Sequence, residues 1–298
     1  MKAAEVYTRL KALGQEFTPA QIEATRTLFE PLVLRPSDAL CRVQRDVAYG
    51  PDARHRLDIF TPTSAAAAPP RPVFVFVHGG GFVQGDKGGA DAPFYNNVGC
   101  WAAAQGYVGV TLTYRLAPAH PWPAGAADLD LALKWLRTGI ATAGGDPAAI
   151  VLAGQSAGAA HVAGCVARHG CESQSAPGLA AAVLISGIYD IVHADRNPFQ
   201  AAYYGTDPAS FERQSSLATL ASTDVPCFFA VCEFDPVDFQ RQAASVVAAT
   251  FAQRGRLPHI AYLAGHNHLS SVLQLGAVAD NLGPQLAHFI SQRLGSGS

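Results

Sequence analysis

Ser156 lies in Gly154-Gln155-Ser156-Ala157-Gly158, which fits the pattern G-x-S-x-G. Val151 to Ala153 before it read as a short apolar strand, and the residues after it as the start of a helix. A serine that attacks a carbonyl must project from a sharp turn with open space above it. Glycines two residues either side keep Cβ atoms out of a crowded backbone approach. A helix that begins at the serine leaves free N–H groups facing a developing negative charge. The pattern alone is weak, because an ordinary strand-to-helix turn can carry the same letters. The remaining parts of an acyl-transfer site must be found elsewhere.

A second glycine cluster supplies a candidate for one part. Val73 to Val77 is a continuous β-branched and aromatic run that ends in His78-Gly79-Gly80-Gly81-Phe82. Without Cβ atoms, such a loop can turn backbone N–H groups into a cleft. Gly80 and Gly81, with Ala157 directly after the serine, are the expected oxyanion donors. His78 is expected to orient the loop and to do no chemistry.

The base must leave the same strand edge as the serine. His266 and His268 follow the last expected strand; His268 is favoured. His259 opens that strand at the wrong edge, and His288 falls in a closing helix. The acid should leave the preceding strand, in the order serine, acid, histidine. Asp235 is favoured because the chain has left the sheet there, just before Pro236. Glu233 is the fallback. Asp238 is expected to start the next helix, as a cap or dipole partner.

The elements that must position these residues alternate. Residues 1 to about 40 read as two helices, with Val6, Leu10 and Leu13 at helical spacing and Thr18-Pro19 as a helix start. Two antiparallel strands, 43–49 and 55–60, follow, and 61–72 reads as a flexible loop. Further strands are expected at 73–77, 107–114, before Ser156, and at 180–186, 227–232 and 259–263. Gly144-Gly145-Asp146-Pro147 is expected to break the chain before the elbow strand. Helices are expected at 126–138, 237–254 and 278–293. Residues 187–222 read as an irregular, aromatic-rich excursion. The pattern implies one α/β domain over 1–298, a doubly wound, mostly parallel sheet of about eight strands. A small cap is expected from the N-terminal arm (1–40) and the 187–222 excursion.

Composition narrows the classes. With 49% hydrophobic and 15% charged residues, the chain fits a compact enzyme and not a disordered or coiled-coil protein. A net charge of −2 gives no reason to expect nucleic acid or an acidic membrane surface as partner. The six cysteines (Cys41, Cys100, Cys165, Cys171, Cys227, Cys232) form no C-x-x-C and no zinc spacing, so no metal is expected. They read as small buried hydrophobes in a reducing, cytoplasmic setting. Met1 to Phe17 carries charges throughout, so it is not expected to be a signal peptide. No run of about 18 apolar residues predicts a transmembrane helix. The sequence leaves room for a homodimer.

His78-Gly79-Gly80-Gly81-Phe82, Tyr114-Arg115-Leu116-Ala117-Pro118 and Gly154-Gln155-Ser156-Ala157-Gly158, in this order, resemble the hormone-sensitive-lipase-like esterases of the α/β-hydrolase superfamily. The resemblance runs from about residue 43 to the end. It implies a Ser-His-Asp carboxylic ester hydrolase with a cap and no cofactor, acting on a small-molecule ester. The segment from Asp235 to Gln242 is similar to the acid-bearing segment of arylformamidases. His268-Leu269-Ser270 is similar to their ending and to that of feruloyl-esterase-like hydrolases. Those likenesses imply Asp235 and His268 and offer N-formylkynurenine hydrolysis as an alternative. Arylformamidases usually carry His-Gly-Gly-Tyr-Trp, whereas this chain has Gly81-Phe82, which favours an ester. A non-catalytic receptor on the same fold is the alternative of another class. It is disfavoured because serine, acid and histidine are all present.

Overall fold

The computed structural model describes residues 1–63, 69–169 and 179–294. Cys171 and part of the expected 61–72 loop lie outside the described residues. The elements, in order, are α1 (Ala3–Leu13), α2 (Pro19–Phe29), β1 (Cys41–Ala48), β2 (Arg56–Pro62), β3 (Arg71–Val77), α3 (Asn96–Ala104), β4 (Val108–Leu112), α4 (Ala124–Gly139) and β5 (Gly145–Gln155). They continue with α5 (Ala157–His169), β6 (Leu179–Ile185), α6 (Pro198–Tyr204), α7 (Phe211–Gln214), α8 (Leu217–Ser222), β7 (Cys227–Phe234), α9 (Val237–Arg254), β8 (His259–Asn267), α10 (Ser270–Leu273) and α11 (Gly283–Leu294).

The strands form one sheet of order β1-β2-β4-β3-β5-β6-β7-β8. β1 and β2 are antiparallel, as are β2 and β4. From β4 to β8 every pairing is parallel. Helices cover both faces, which explains the unbroken apolar run of β3. Phe74 and Phe76 enter one core with Val6 and Leu10 of α1, Trp101 of α3 and Phe289 of α11. Val73, Val75 and Val77 enter the other core with Leu129 and Leu133 of α4, Val162 of α5 and Val246 of α9. A strand with one solvated face would alternate instead. This arrangement is the α/β-hydrolase fold.

The N-terminal helices start where local chemistry puts them. The Thr18 hydroxyl accepts from Gln21 N at 3.2 Å, and Pro19 fills the first turn. Val6 and Leu10 are the buried residues of α1.

Several element boundaries differ from expectation. β8 runs past Leu263 to Asn267 because Gly265 (φ +77°) forms an irregularity instead of a stop, with its N–H bound by Glu233 at 2.7 Å. β5 begins at Gly145, which pairs with Arg71, so only Gly144 (φ +78°) acts as the break. The 187–222 segment contains three short α-helices and one 3-10 turn (Pro208–Ser210), and α8 packs on α9. The closing helix starts at Gly283, not at 278. No helix among the described residues is long and apolar enough to cross a membrane.

Candidate active site

The turns that leave β3, β5, β7 and β8 bring Gly79 to Gly81, Ser156, Asp235 and His268 to one edge of the sheet, beyond the C-terminal ends of its parallel strands.

Ser156 has φ +58°, a left-handed conformation that a residue with a side chain adopts at a cost of order 1–3 kcal/mol. The surroundings impose it. Ser156 N donates to Ile185 O at 2.9 Å. A Cβ on Gly154 would lie 2.5 Å from the Gly158 backbone, and one on Gly158 would lie 2.1 Å from Val77 O. The two motif glycines therefore allow strand, turn and helix to close on each other and on β3. Between them, buried Gln155 donates from Nε2 to His268 O at 3.0 Å, tying the elbow to the loop that carries the histidine.

His268 and Asp235 form a buried pair, His268 Nδ1 to Asp235 Oδ1 at 2.7 Å, with exposures of 1% and 0%. The other carboxylate oxygen accepts from Ser186 Oγ at 2.7 Å and from Cys232 N at 2.6 Å. Ser186 also has a left-handed backbone (φ +47°). An ionised carboxylate acting as acceptor places the proton on Nδ1 and leaves Nε2 bare. Nε2 has no partner among the described residues. The ring is held between Phe239 (4.2 Å between centroids) and the edge of Phe17 (4.8 Å). Ser156 and His268 line the same cleft, of about 810 Å³.

The alternatives are placed elsewhere. His266 lies within β8, completely buried, with Nδ1 at 3.1 Å from Ser270 Oγ and Nε2 at 3.2 Å from Ala279 O. Burial pushes it down to about 4, so it is a neutral packing residue against Tyr7. Glu233 holds Gly265 N. Asp238 lies in the first turn of α9, as the dipole partner expected and not as a cap, and it also accepts from Asp195 N at 3.1 Å and pairs with Arg241 at 3.2 Å, fastening the 187–222 segment. Burial raises its carboxyl above the usual range.

Gly80 (φ +129°) and Gly81 (φ +60°) both line the cleft. A Cβ on Gly80 would lie 2.0 Å from Gln84 O, so the loop closes on itself only with glycine there. Neither N–H has an acceptor among the described residues. Ala157 is the first residue of α5, where the N–H has no intrahelical partner. His78 is buried behind the loop. Its Nδ1 sits 2.6 Å from Gly79 O, its carbonyl accepts from Tyr114 Oη at 2.9 Å, and its ring stacks on Tyr114 at 4.5 Å. Burial pushes it down to about 4, so it orients the loop as a neutral ring.

The rest of the wall comes from two segments. Phe17, Ile22 and Arg26 reach it from the N-terminal arm, and Asn197, Phe199 and Gln200 from the 187–222 segment. Sequence reasoning placed the serine, acid, histidine and glycines at this edge. It missed the side chains of Gln155 and Ser186, whose partners are 113 and 49 residues away. Among the described residues, no cluster of His, Cys, Asp and Glu could hold a metal ion.

Residues 57–224 match the family model BD-FAE. The esterase LipQ of Mycobacterium tuberculosis is 27% identical over 94% of this chain and 71% of its own length. The esterase LipC of the same organism is 36% identical, but that match takes in 39% of this chain and 27% of LipC. Among solved structures, an inhibited esterase B from Lactobacillus rhamnosis has a TM-score of 0.75 at 17% identity, over 98% of this chain and 97% of that one. The last likeness concerns the fold, and the match to BD-FAE covers more than half of the chain. The chain belongs to the BD-FAE family, on an α/β-hydrolase fold.

Proposed function

We propose that the chain is a serine carboxylic ester hydrolase, with Ser156 as nucleophile, His268 as general base and Asp235 as its orienter. One observation carries this reading. A strained serine and the bare Nε2 of an Asp-bound histidine face one cleft beside two unengaged glycine N–H groups. LipQ and LipC, both called esterases, agree with it.

Ser156 Oγ attacks the ester carbonyl as His268 Nε2 takes its proton. The N–H groups of Gly80, Gly81 and Ala157 receive the oxyanion; one such donor is typically worth about 10²–10³ in rate. His268 then protonates the leaving alcohol, and a water deprotonated by His268 releases the acid from the acyl-enzyme. Asp235, hydrogen-bonded to His268 Nδ1, stabilises the imidazolium. No cofactor is called on. The aromatic walls suit short-to-medium acyl or aryl esters, and the arm and the 187–222 segment act as the cap that selects among them. Cys41, Cys100, Cys165, Cys227 and Cys232 are free thiols, which supports a reducing, cytoplasmic setting.

Hydrolysis of p-nitrophenyl acetate and butyrate by the purified protein and by Ser156→Ala tests the reading. Activity that disappears with the hydroxyl supports it; a variant as active as the parent overturns it.

A further inference from the structure

The cleft is walled mostly by apolar groups and glycines, yet the Arg26 guanidinium and the Tyr95 hydroxyl on it have no partner among the described residues. Ile22 and Arg26 stand four residues apart on α2, so they share one ridge, and both line the cleft. Arg26 makes no ion pair with a carboxylate among the described residues. Several other cations of the protein do meet carboxylates. Lys87 meets Asp46 and Asp58 at 2.8 Å each, Arg45 meets Asp58 at 2.6 Å, and Arg115 meets Asp128 at 2.7 Å.

Tyr95 lines the same cleft, with its ring against Phe76 at 5.2 Å between centroids. Its hydroxyl has no hydrogen-bond partner among the described residues. Both groups line the one cleft, and the charge of Arg26 opposes the rise that burial gives the hydroxyl. The one carboxylate on the cleft wall, Asp86, accepts from Gly88 N at 3.1 Å and pairs with no cation among the described residues.

We propose that Arg26 and Tyr95 form a subsite for a carboxylate carried on one limb of the ester substrate. The inference rests on the ester-hydrolase reading and deepens it, since it names an anionic half-ester as the substrate class. The chemistry follows from the donors. A guanidinium presents several N–H groups in one plane, a phenol adds one O–H, and a carboxylate offers two oxygens to receive them. Arg26 itself is exposed, so this charge-assisted contact is open to screening by salt. The catalytic atoms and this subsite line one cavity, so a single substrate can reach both.

The test measures kcat/KM on matched ester pairs that differ only in a terminal carboxylate. One series carries it on the acyl limb (aryl half-esters of dicarboxylic acids against their chain-length analogues). The other carries it on the alcohol limb (butyrates of hydroxybenzoic acids against butyrates of phenols). The expected result is a preference for the anionic member in one series. That preference falls with added salt. It falls about tenfold in Arg26→Gln, more in Arg26→Glu, and less in Arg26→Lys. Tyr95→Phe lowers it as well. Thermal melts of the exposed-site Arg26 variants should match the parent, which separates recognition from folding. If both members of each pair are hydrolysed at a ratio that neither salt nor Arg26→Glu alters, the subsite is overturned and the esterase reading stands. If no ester of either series is hydrolysed, the esterase reading fails and the subsite with it.

Discussion

Lowering the pH from 7 towards 5 should destabilise the fold through three buried histidines. His78 and His266 are completely buried and His161 is 1% exposed. Burial pushes His78 and His266 down to about 4 and His161 down to about 3, from an ordinary value of 6.5. A histidine depressed in the folded state leaves stability intact above its unfolded value. Below that value the unfolded chain takes a proton that the folded chain refuses, so stability falls with pH until the folded value is reached. Each unit of pH in this window costs about 1.4 kcal/mol per histidine. Between pH 6.5 and 5 each group therefore costs about 2 kcal/mol, and the set about 6 kcal/mol, comparable with the whole stability of many domains. Asp238 and Asp280, whose carboxyls burial raises, act in the opposite sense and offset part of this cost. Urea midpoints at several pH values, with constant m, give the slope directly. The three histidines contribute uptake of nearly three protons on unfolding near pH 5.5. A His266→Gln variant should show about one proton fewer. A midpoint unchanged from pH 7 to 5 would refute the reasoning.

Two substitutions probe the positioning of the site. Gly158→Ala puts a Cβ 2.1 Å from Val77 O, so α5 and β3 must part; overpacking of this kind costs about 1–3 kcal/mol. Urea denaturation should show that loss, and kcat on p-nitrophenyl butyrate should fall more than tenfold because the Ala157 N–H moves with the helix. Ser186→Ala removes one of two donors to Asp235 Oδ2; a hydrogen bond to a charged group is worth about 1.5–3 kcal/mol. Its kcat on p-nitrophenyl butyrate should drop with KM little changed. A parental kcat would remove Ser186 from the mechanism.

The parts of the site that were legible in the sequence are those with local causes. A triple glycine after a buried run and an elbow with glycines at fixed offsets reflect backbone crowding within a few residues. Asp235 and His268 followed from chain order and from the strands they leave. Ser186 and the side chain of Gln155 were hidden because their meaning depends on pairings made by the finished sheet. β6 meets β7 so that Ser186 N donates to Ala230 O at 2.8 Å, and only then does its hydroxyl reach Asp235. In the fold, α3 carries no apolar stripe, since all but one of its residues are buried, so helical periodicity gave no signal. Gly265 looks like a strand end because glycine usually weakens a strand, yet Glu233 binds its N–H and the strand continues to Asn267. The short helices of 187–222 are one or two turns long, too short for a period to show.

The central claim is that Ser156 is a nucleophile activated by His268. Reaction with a fluorophosphonate probe, followed by peptide mass spectrometry, tests it most directly. A single stoichiometric adduct on Ser156 is expected, with labelling slowed by orders of magnitude in His268→Ala and none in Ser156→Ala. An adduct on another residue, or none on the folded parent protein, would contradict it.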